Sequence, residues 1–215
     1  KIKRIRKNYV LVDLICHGVP TQHLWTKYLK QGNENYGYGV APDVKFRDKS
    51  KGWRNMYMSI SGNNKVYTNS DKKDLFYRFF KLGHCYMSSC YECRYRTASA
   101  ADIRIGDYWG PRYKDDKSGV SMVIAMNDIG EKILEKLKTL NNTLVEITDI
   151  EEYWLVQFPQ NPIKPVFYNE LINELKDETM ELEKIADEYC RGFEFYKKIQ
   201  KSYSVLCSTL ERVGV

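Results

Sequence analysis

The stretch Y-V-L-V-D-L-I-C-H-G-V-P, Tyr9 to Pro20, decides how this chain folds. Its opening residues form a β-branched apolar run, the pattern of a buried strand. The run stops at Cys16-His17-Gly18, which reads as a functional turn. Thr21 then stands as a helix N-cap after Pro20, and Leu24, Trp25, Tyr28 and Leu29 recur at helical spacing as far as Lys30. Strand, turn and helix in this order open an α/β unit. Such units place their chemistry at the carboxyl ends of strands, where Cys16 stands.

Working outward, residues 31–42 are rich in Gly and Asn and predict a loop. Asp43 to Arg47 predicts a short strand. Met56 to Ser61 and Lys65 to Thr68 predict a hairpin turning through Gly62-Asn63-Asn64. Asp74 to Leu82 predicts a helix with Leu75, Phe76, Phe79 and Phe80 as its apolar face. Strands are expected over Ala101 to Ile105, Val120 to Met126 and Leu144 to Ile147, with an amphipathic helix from Gly130 to Leu140. From Glu151 the composition turns helical and acidic. After Pro159, Pro162 and Pro165, a helix is expected over Tyr168 to Tyr189 and another over Phe193 to Leu210. The expected fold class is α/β, with α+β as the alternative. A mixed β-sheet with flanking helices would occupy residues 1–150, and a helical extension residues 151–215.

The whole composition narrows the function classes. Of 215 residues, 43% are hydrophobic and 29% charged, as in ordinary globular proteins. No apolar run approaches the roughly 18 residues of a membrane span. The basic stretch Lys1 to Lys7 is not a secretory leader, because the apolar run behind it contains Asp13 and ends in C-H-G-V-P. A net charge of +6, from 34 basic and 28 acidic side chains, is a mild excess. Most of the 17 tyrosines sit in apolar runs, so no nucleic-acid partner is expected. Six cysteines without a secretion signal favour metal over disulfide chemistry and a cytoplasmic protein. Opening at Lys1, directly on a strand-like run, the chain reads as the C-terminal portion of a longer polypeptide or a trimmed piece of one.

Three of the cysteines lie in H-C-Y-M-S-S-C-Y-E-C-R-Y-R: Cys85, Cys90 and Cys93, spaced C-x4-C-x2-C. Iron–sulfur ligands use this spacing, and Cys16 is the natural fourth thiol. Tetrahedral zinc competes, since C-x2-C suits either metal. Zinc ribbons carry two such pairs, and here only His17 and His84 would replace the second. Arg94 and Arg96 can offset the negative charge of a cluster, Ser88 and Ser89 can donate hydrogen bonds, and Tyr86, Tyr91 and Tyr95 either shield the site or simply pack. Cys16 has two other readings, a structural thiol or a nucleophile beside His17; against the latter, neighbours on a strand point to opposite faces. Cys190 and Cys207 read as small buried hydrophobes.

Two further segments carry candidate cofactor contacts. K-F-R-D-K-S-K-G-W-R-N, Lys45 to Asn55, offers Arg47, Lys51 and Arg54 to phosphates and Trp53 to a ring; its plain alternative is a solvated loop. I-G-D-Y-W-G, Ile105 to Gly110, offers Asp107 and Trp109 between glycines that allow close approach; its plain alternative is a tight turn with a packed Trp.

Four segments in order, L-V-D-L-I-C-H-G-V-P, F-R-D-K-S-K-G-W, S-C-Y-E-C-R-Y and A-D-I-R-I-G-D-Y-W-G, resemble the C-terminal domain of the coenzyme F420 hydrogenase/dehydrogenase beta-subunit family in its bacterial form. The resemblance covers Tyr9 to Leu140. It implies an oxidoreductase subunit, an iron–sulfur flavoprotein whose [4Fe–4S] cluster lies near FAD. Electrons would pass between cluster, flavin and a deazaflavin or other acceptor, with a redox partner protein or ferredoxin-like domain. Cys16, Cys90 and Cys93 match the family's cysteines, whereas Cys85 falls where the family varies. The resemblance also allows a fourth ligand from an upstream segment, which in full-length relatives is associated with the flavin. The alternatives are a non-catalytic module with structural zinc, or an assembly or binding subunit linked to polysaccharide biosynthesis.

Overall fold

The computed structural model describes residues 8–96, 98–140 and 161–193, together with Arg6 and Lys198. They belong to two compact units, each drawn from two segments: Lys1–His17 with Cys93–Asn161, and Gly18–Glu92 with Pro162–Val215. Both mix helix and strand, in keeping with the α/β or α+β class.

The first unit holds β1 (Val12–Leu14), β5 (Ile103–Asp107), β6 (Ser121–Ala125) and helix α3 (Asp128–Lys138). The sheet is mixed: β1 runs parallel beside β5, and β6 antiparallel on the other side. The parallel register sets Asp13 opposite Arg104 and Leu14 opposite Ile105. The Asn127 side chain caps α3 by accepting from the Ile129 and Gly130 amides. Gly130 lies so close to the sheet that a Cβ there would stand 2.1 Å from the Asp102 carbonyl. The carboxylate of Asp102, wholly inaccessible, accepts from the Arg6 guanidinium, the Leu11 amide and the Asn127 side chain. The run from Tyr9 was expected to be a buried strand. Instead, among the described residues, β1 is an edge, with Tyr9, Val12 and Leu14 54–62% exposed. A parallel strand is buried on both faces only where helices cover both.

The second unit holds the antiparallel sheet β2 (Asp43–Lys45), β3 (Tyr57–Gly62) and β4 (Lys65–Ser70), and helices α1 (Gln22–Tyr36), α2 (Leu75–Leu82), α4 (Tyr168–Lys176) and α5 (Leu182–Tyr189). The expected hairpin forms, with Asn63 and Asn64 both at positive φ (48° and 58°) as its two-residue turn requires. Asp74 caps α2 and takes hydroxyl bonds from Tyr28 (2.6 Å) and Tyr67 (2.8 Å), so sheet, α1 and α2 meet on one buried carboxylate. Leu24, Met58, Phe79, Leu171, Leu182 and Ile185 form the centre of the core.

Two boundaries differ from the sequence reading. Helix α1 runs to Tyr36, through residues whose Gly and Asn content suggested a loop. Tyr38 folds back over it and donates to the Leu29 carbonyl at 3.0 Å, and only a glycine at 32 leaves room, since a Cβ would meet the Tyr38 hydroxyl at 2.2 Å. The helix expected over 168–189 is two helices, because Asp177 turns the chain by accepting from the Thr179 amide. Lys27 and Gln31 of α1 receive that turn, on the carbonyls of Asp177 and Met180. The strand expected over 144–147, and the last helix except Phe193 and Lys198, lie outside the described residues.

Candidate metal centre

Cys16 follows β1 at its carboxyl end and is exposed. The ladder continues one residue past β1, where the Ile15 amide bonds the Ile105 carbonyl at 2.8 Å. The Ile15 side chain lies against Gly106, where a Cβ would come within 3.0 Å of it. The backbone of Cys16 is tied further: the Arg96 guanidinium donates to the carbonyls of Cys16 and His17, both at 3.1 Å. Arg96 closes a single 3₁₀ turn, Arg94–Arg96, that begins immediately after Cys93. That turn is seated by Arg104, whose guanidinium is buried. It donates to the carbonyls of Tyr95 (2.7 Å) and Arg96 (2.9 Å) and to the Asp13 carboxylate (3.0 Å). Asp13 also accepts from Ser99, and the Asn161 side chain donates to the Cys93 carbonyl at 3.1 Å. Cys93 is half-buried. One hydrogen-bonded frame in the first unit thus carries the backbones of Cys16 and of the turn behind Cys93.

Asp13 and Arg104 were not among the expected site residues. The sequence did carry a signal: Asp13 is the lone charge in its apolar strand-like run, and Arg104, inside the run A-D-I-R-I, has the opposite sign. Parallel pairing turns that into a contact.

Cys85 and Cys90 belong to the second unit. Their loop runs antiparallel to the segment just downstream of Cys16: the Thr21 amide bonds the Cys85 carbonyl at 2.8 Å, and the Met87 amide bonds the Val19 carbonyl at 2.7 Å. Gly18, at φ 141°, makes this possible; a Cβ would stand 2.5 Å from the Tyr86 ring. Cys90 ends the 3₁₀ turn Ser88–Cys90 and is half-buried against the tyrosine cluster of Tyr86, Tyr91 and Tyr168. These tyrosines brace the loop through backbone bonds: Tyr86 to the Phe80 carbonyl (2.6 Å), Tyr91 to Gly83 (2.7 Å), Tyr168 to Tyr86 (2.8 Å). Tyr95 is 74% exposed.

Cys85 differs from the other three. It is wholly enclosed in the core of the second unit, together with Cys190. Burial, with Cys190 as the second cause, pushes its thiol far above the ordinary range. Cys16, by contrast, is exposed, and Cys90 and Cys93 are half-buried. Among the described residues, no three His, Cys, Asp or Glu side chains gather into a set able to hold a metal ion.

The expected cofactor contacts divide in the same way. In the second unit, Trp53 is 3% exposed and covered by cations of its own loop, with the guanidinium of Arg47 5.1 Å and that of Arg54 5.5 Å from its ring. Lys51 lies 4.5 Å from the Tyr57 ring. This loop is closed on itself, neither simply solvated nor open to a ligand ring. In the first unit, Asp107 ends β5 and is exposed, and Trp109 is 37% exposed. The aromatic that packs there is Tyr108, edge-on to Tyr113 with ring centroids 5.4 Å apart.

Among the described residues no helix is long and apolar enough to cross a membrane. No curated protein and no solved structure matches the chain. One family model does, over residues 2–152, and it describes the C terminus of the beta subunit of coenzyme F420 hydrogenase/dehydrogenase. That match spans most of the sequence and contains Cys16, Cys85, Cys90, Cys93, Arg96 and Arg104. The chain therefore belongs to the coenzyme F420 hydrogenase/dehydrogenase beta-subunit family and carries its C-terminal region.

Proposed function

We propose that this chain is the C-terminal part of a cytoplasmic iron–sulfur flavoprotein oxidoreductase subunit in which Cys16, Cys90 and Cys93 ligate a [4Fe–4S] cluster. The observation that carries the reading is the frame in which Arg96 ties the turn after Cys93 to the backbone of Cys16. The fourth cluster position falls to Cys85, enclosed in the core, or to a ligand from outside this chain. The arginines nearby lower the cost of the negative charge that thiolate ligation brings.

Asp107 and Trp109 are the residues we assign to a flavin or deazaflavin, because they project from the carboxyl end of the strand beside Cys16. Arg47 and Lys51 are assigned to a cofactor phosphate, whereas Trp53, covered by Arg47 and Arg54, would meet a ring only after that cover moves. When bound, a flavin supplies the exchange between single electrons and hydride. Membership of a hydrogenase/dehydrogenase beta-subunit family also supports a redox partner subunit.

The deciding experiment is metal and sulfide analysis of the chain purified or reconstituted without oxygen. Brown protein containing iron and sulfide, with the colour lost in Cys16→Ser, Cys90→Ser and Cys93→Ser, is the expected result. Colourless protein containing one zinc and no sulfide would establish the structural-zinc alternative instead.

A further inference from the structure

We infer that Arg96, seated by Arg104, is a positioning residue that holds the thiols of Cys16 and Cys93 in one mutual geometry. The inference rests on the reading of these two cysteines as ligands and adds to it the device that sets their spacing.

A 3₁₀ turn of three residues is a weak element that does not keep its own shape. The turn Arg94–Arg96 nevertheless has its last two carbonyls engaged by one buried guanidinium, which also reaches Asp13 on the neighbouring strand. A planar fork with three fixed acceptors leaves the backbone little freedom, and a lysine could not reproduce it. Burying a guanidinium with a single carboxylate partner is costly. Such an arrangement suits a function that needs a fixed geometry better than it suits stability. Arg96 then spends its own side chain on two successive carbonyls, those of Cys16 and His17. These are exposed bonds and contribute little to folding. Their effect is geometric: they fix the direction of the peptide that carries Cys16 relative to a turn whose first residue follows Cys93.

The test begins with the metal-free chain, so that it reads geometry before any cluster chemistry. A short bifunctional thiol reagent is allowed to bridge cysteines, and the bridged peptides are identified by mass spectrometry. The wild-type chain should join Cys16 to Cys93. Arg96→Ala should slow that bridge by roughly 10- to 100-fold, the scale on which a lost fixed geometry acts, with an unchanged melting temperature. Arg96→Lys, which keeps the charge and one donor group, should recover part of the rate. Arg104→Lys should act like Arg96→Ala if it folds; if it does not, Arg96→Ala decides alone. A wild-type chain that never bridges Cys16 to Cys93, equal rates in wild type and Arg96→Ala, or a slowed rate explained by a lower melting temperature each overturn the inference.

A second arm loads the same proteins with iron and sulfide and follows their reduction by electron paramagnetic resonance. Loss of the Arg96 charge should make the loaded centre harder to reduce. A wild-type chain that bridges the two cysteines yet takes up no iron sinks the metal reading and leaves the positioning role standing.

Discussion

Burial separates the thiols of this chain into enclosed and accessible ones. Cys85 is completely enclosed and Cys90 is only half so, although they sit in one short loop. Cys85→Ser should destabilise the metal-free chain by about 1–3 kcal/mol, because a hydroxyl is left without a partner in an apolar site. Cys85→Ala should cost only about 1 kcal/mol, the usual size of a small core truncation. Cys90→Ser should leave unfolding in urea nearly unchanged while abolishing iron uptake. The reverse pattern, with iron lost in Cys85→Ala and retained in Cys90→Ser, would exchange their roles. Spacing alone made these thiols look alike in the sequence, since C-x4-C-x2-C says which sulfurs are near in the chain and nothing of which one faces the core. The frame around Cys16 was half legible: Arg96 stood out as a cation behind the last cysteine, but the Asp13–Arg104 pair is visible only once the strand register is known.

At the scale of single elements, α1 and α2 each depend on one residue whose sequence reading misleads or understates. Gly32 would ordinarily weaken a helix, and alanine there should gain about 1 kcal/mol. The added methyl displaces the Tyr38 hydroxyl from the Leu29 carbonyl, and overpacking of that kind costs about 1–3 kcal/mol. Gly32→Ala should therefore be destabilising in chemical denaturation, opposite to the propensity rule. The glycine could not be recognised as helical from composition, because its reason is a side chain that arrives from outside the helix. Asp74 is the converse case, since its capping role was open to inference from its place before an apolar face. Its bond to Tyr28 across the core was not. Asp74→Ala removes a cap worth about 0.5–2 kcal/mol. It also strands a buried hydroxyl at about 1–3 kcal/mol, so the total loss should be about 2–4 kcal/mol by urea midpoint. Asp74→Asn, which keeps one acceptor oxygen, should lose less.

For the molecule as a whole, acid should act through His84 and Asp102 in separate windows. In the second unit, burial holds the His84 imidazole below its usual 6.5, against the opposing pull of the Tyr189 carbonyl bonded to it at 2.9 Å. The unfolded chain then takes up a proton that the folded chain refuses. Stability should fall as pH drops below about 6.5, and His84→Gln should flatten that slope. In the first unit, the bond from Arg6, then those from Leu11 and Asn127, bring the Asp102 carboxyl from 3.8 down to about 2. Its contribution is intact above about pH 4 and is lost as pH falls toward 2, a slope that Asp102→Asn should remove. Urea midpoints measured across pH 7 to 2 would separate the windows, and a single step shared by both variants would contradict the assignment. Most strands and helices of the described residues were legible from period and turn chemistry. Their division between two sheets was not, because partner choice depends on which segments meet and no local pattern encodes that. The units are interlaced along the sequence: each is completed by a segment lying beyond part of the other. On the ribosome, the mixed sheet cannot close until β6 has left the exit tunnel, and the second unit waits longer still, for α5. For the same reason, no uninterrupted stretch of the gene encodes one unit without part of the other.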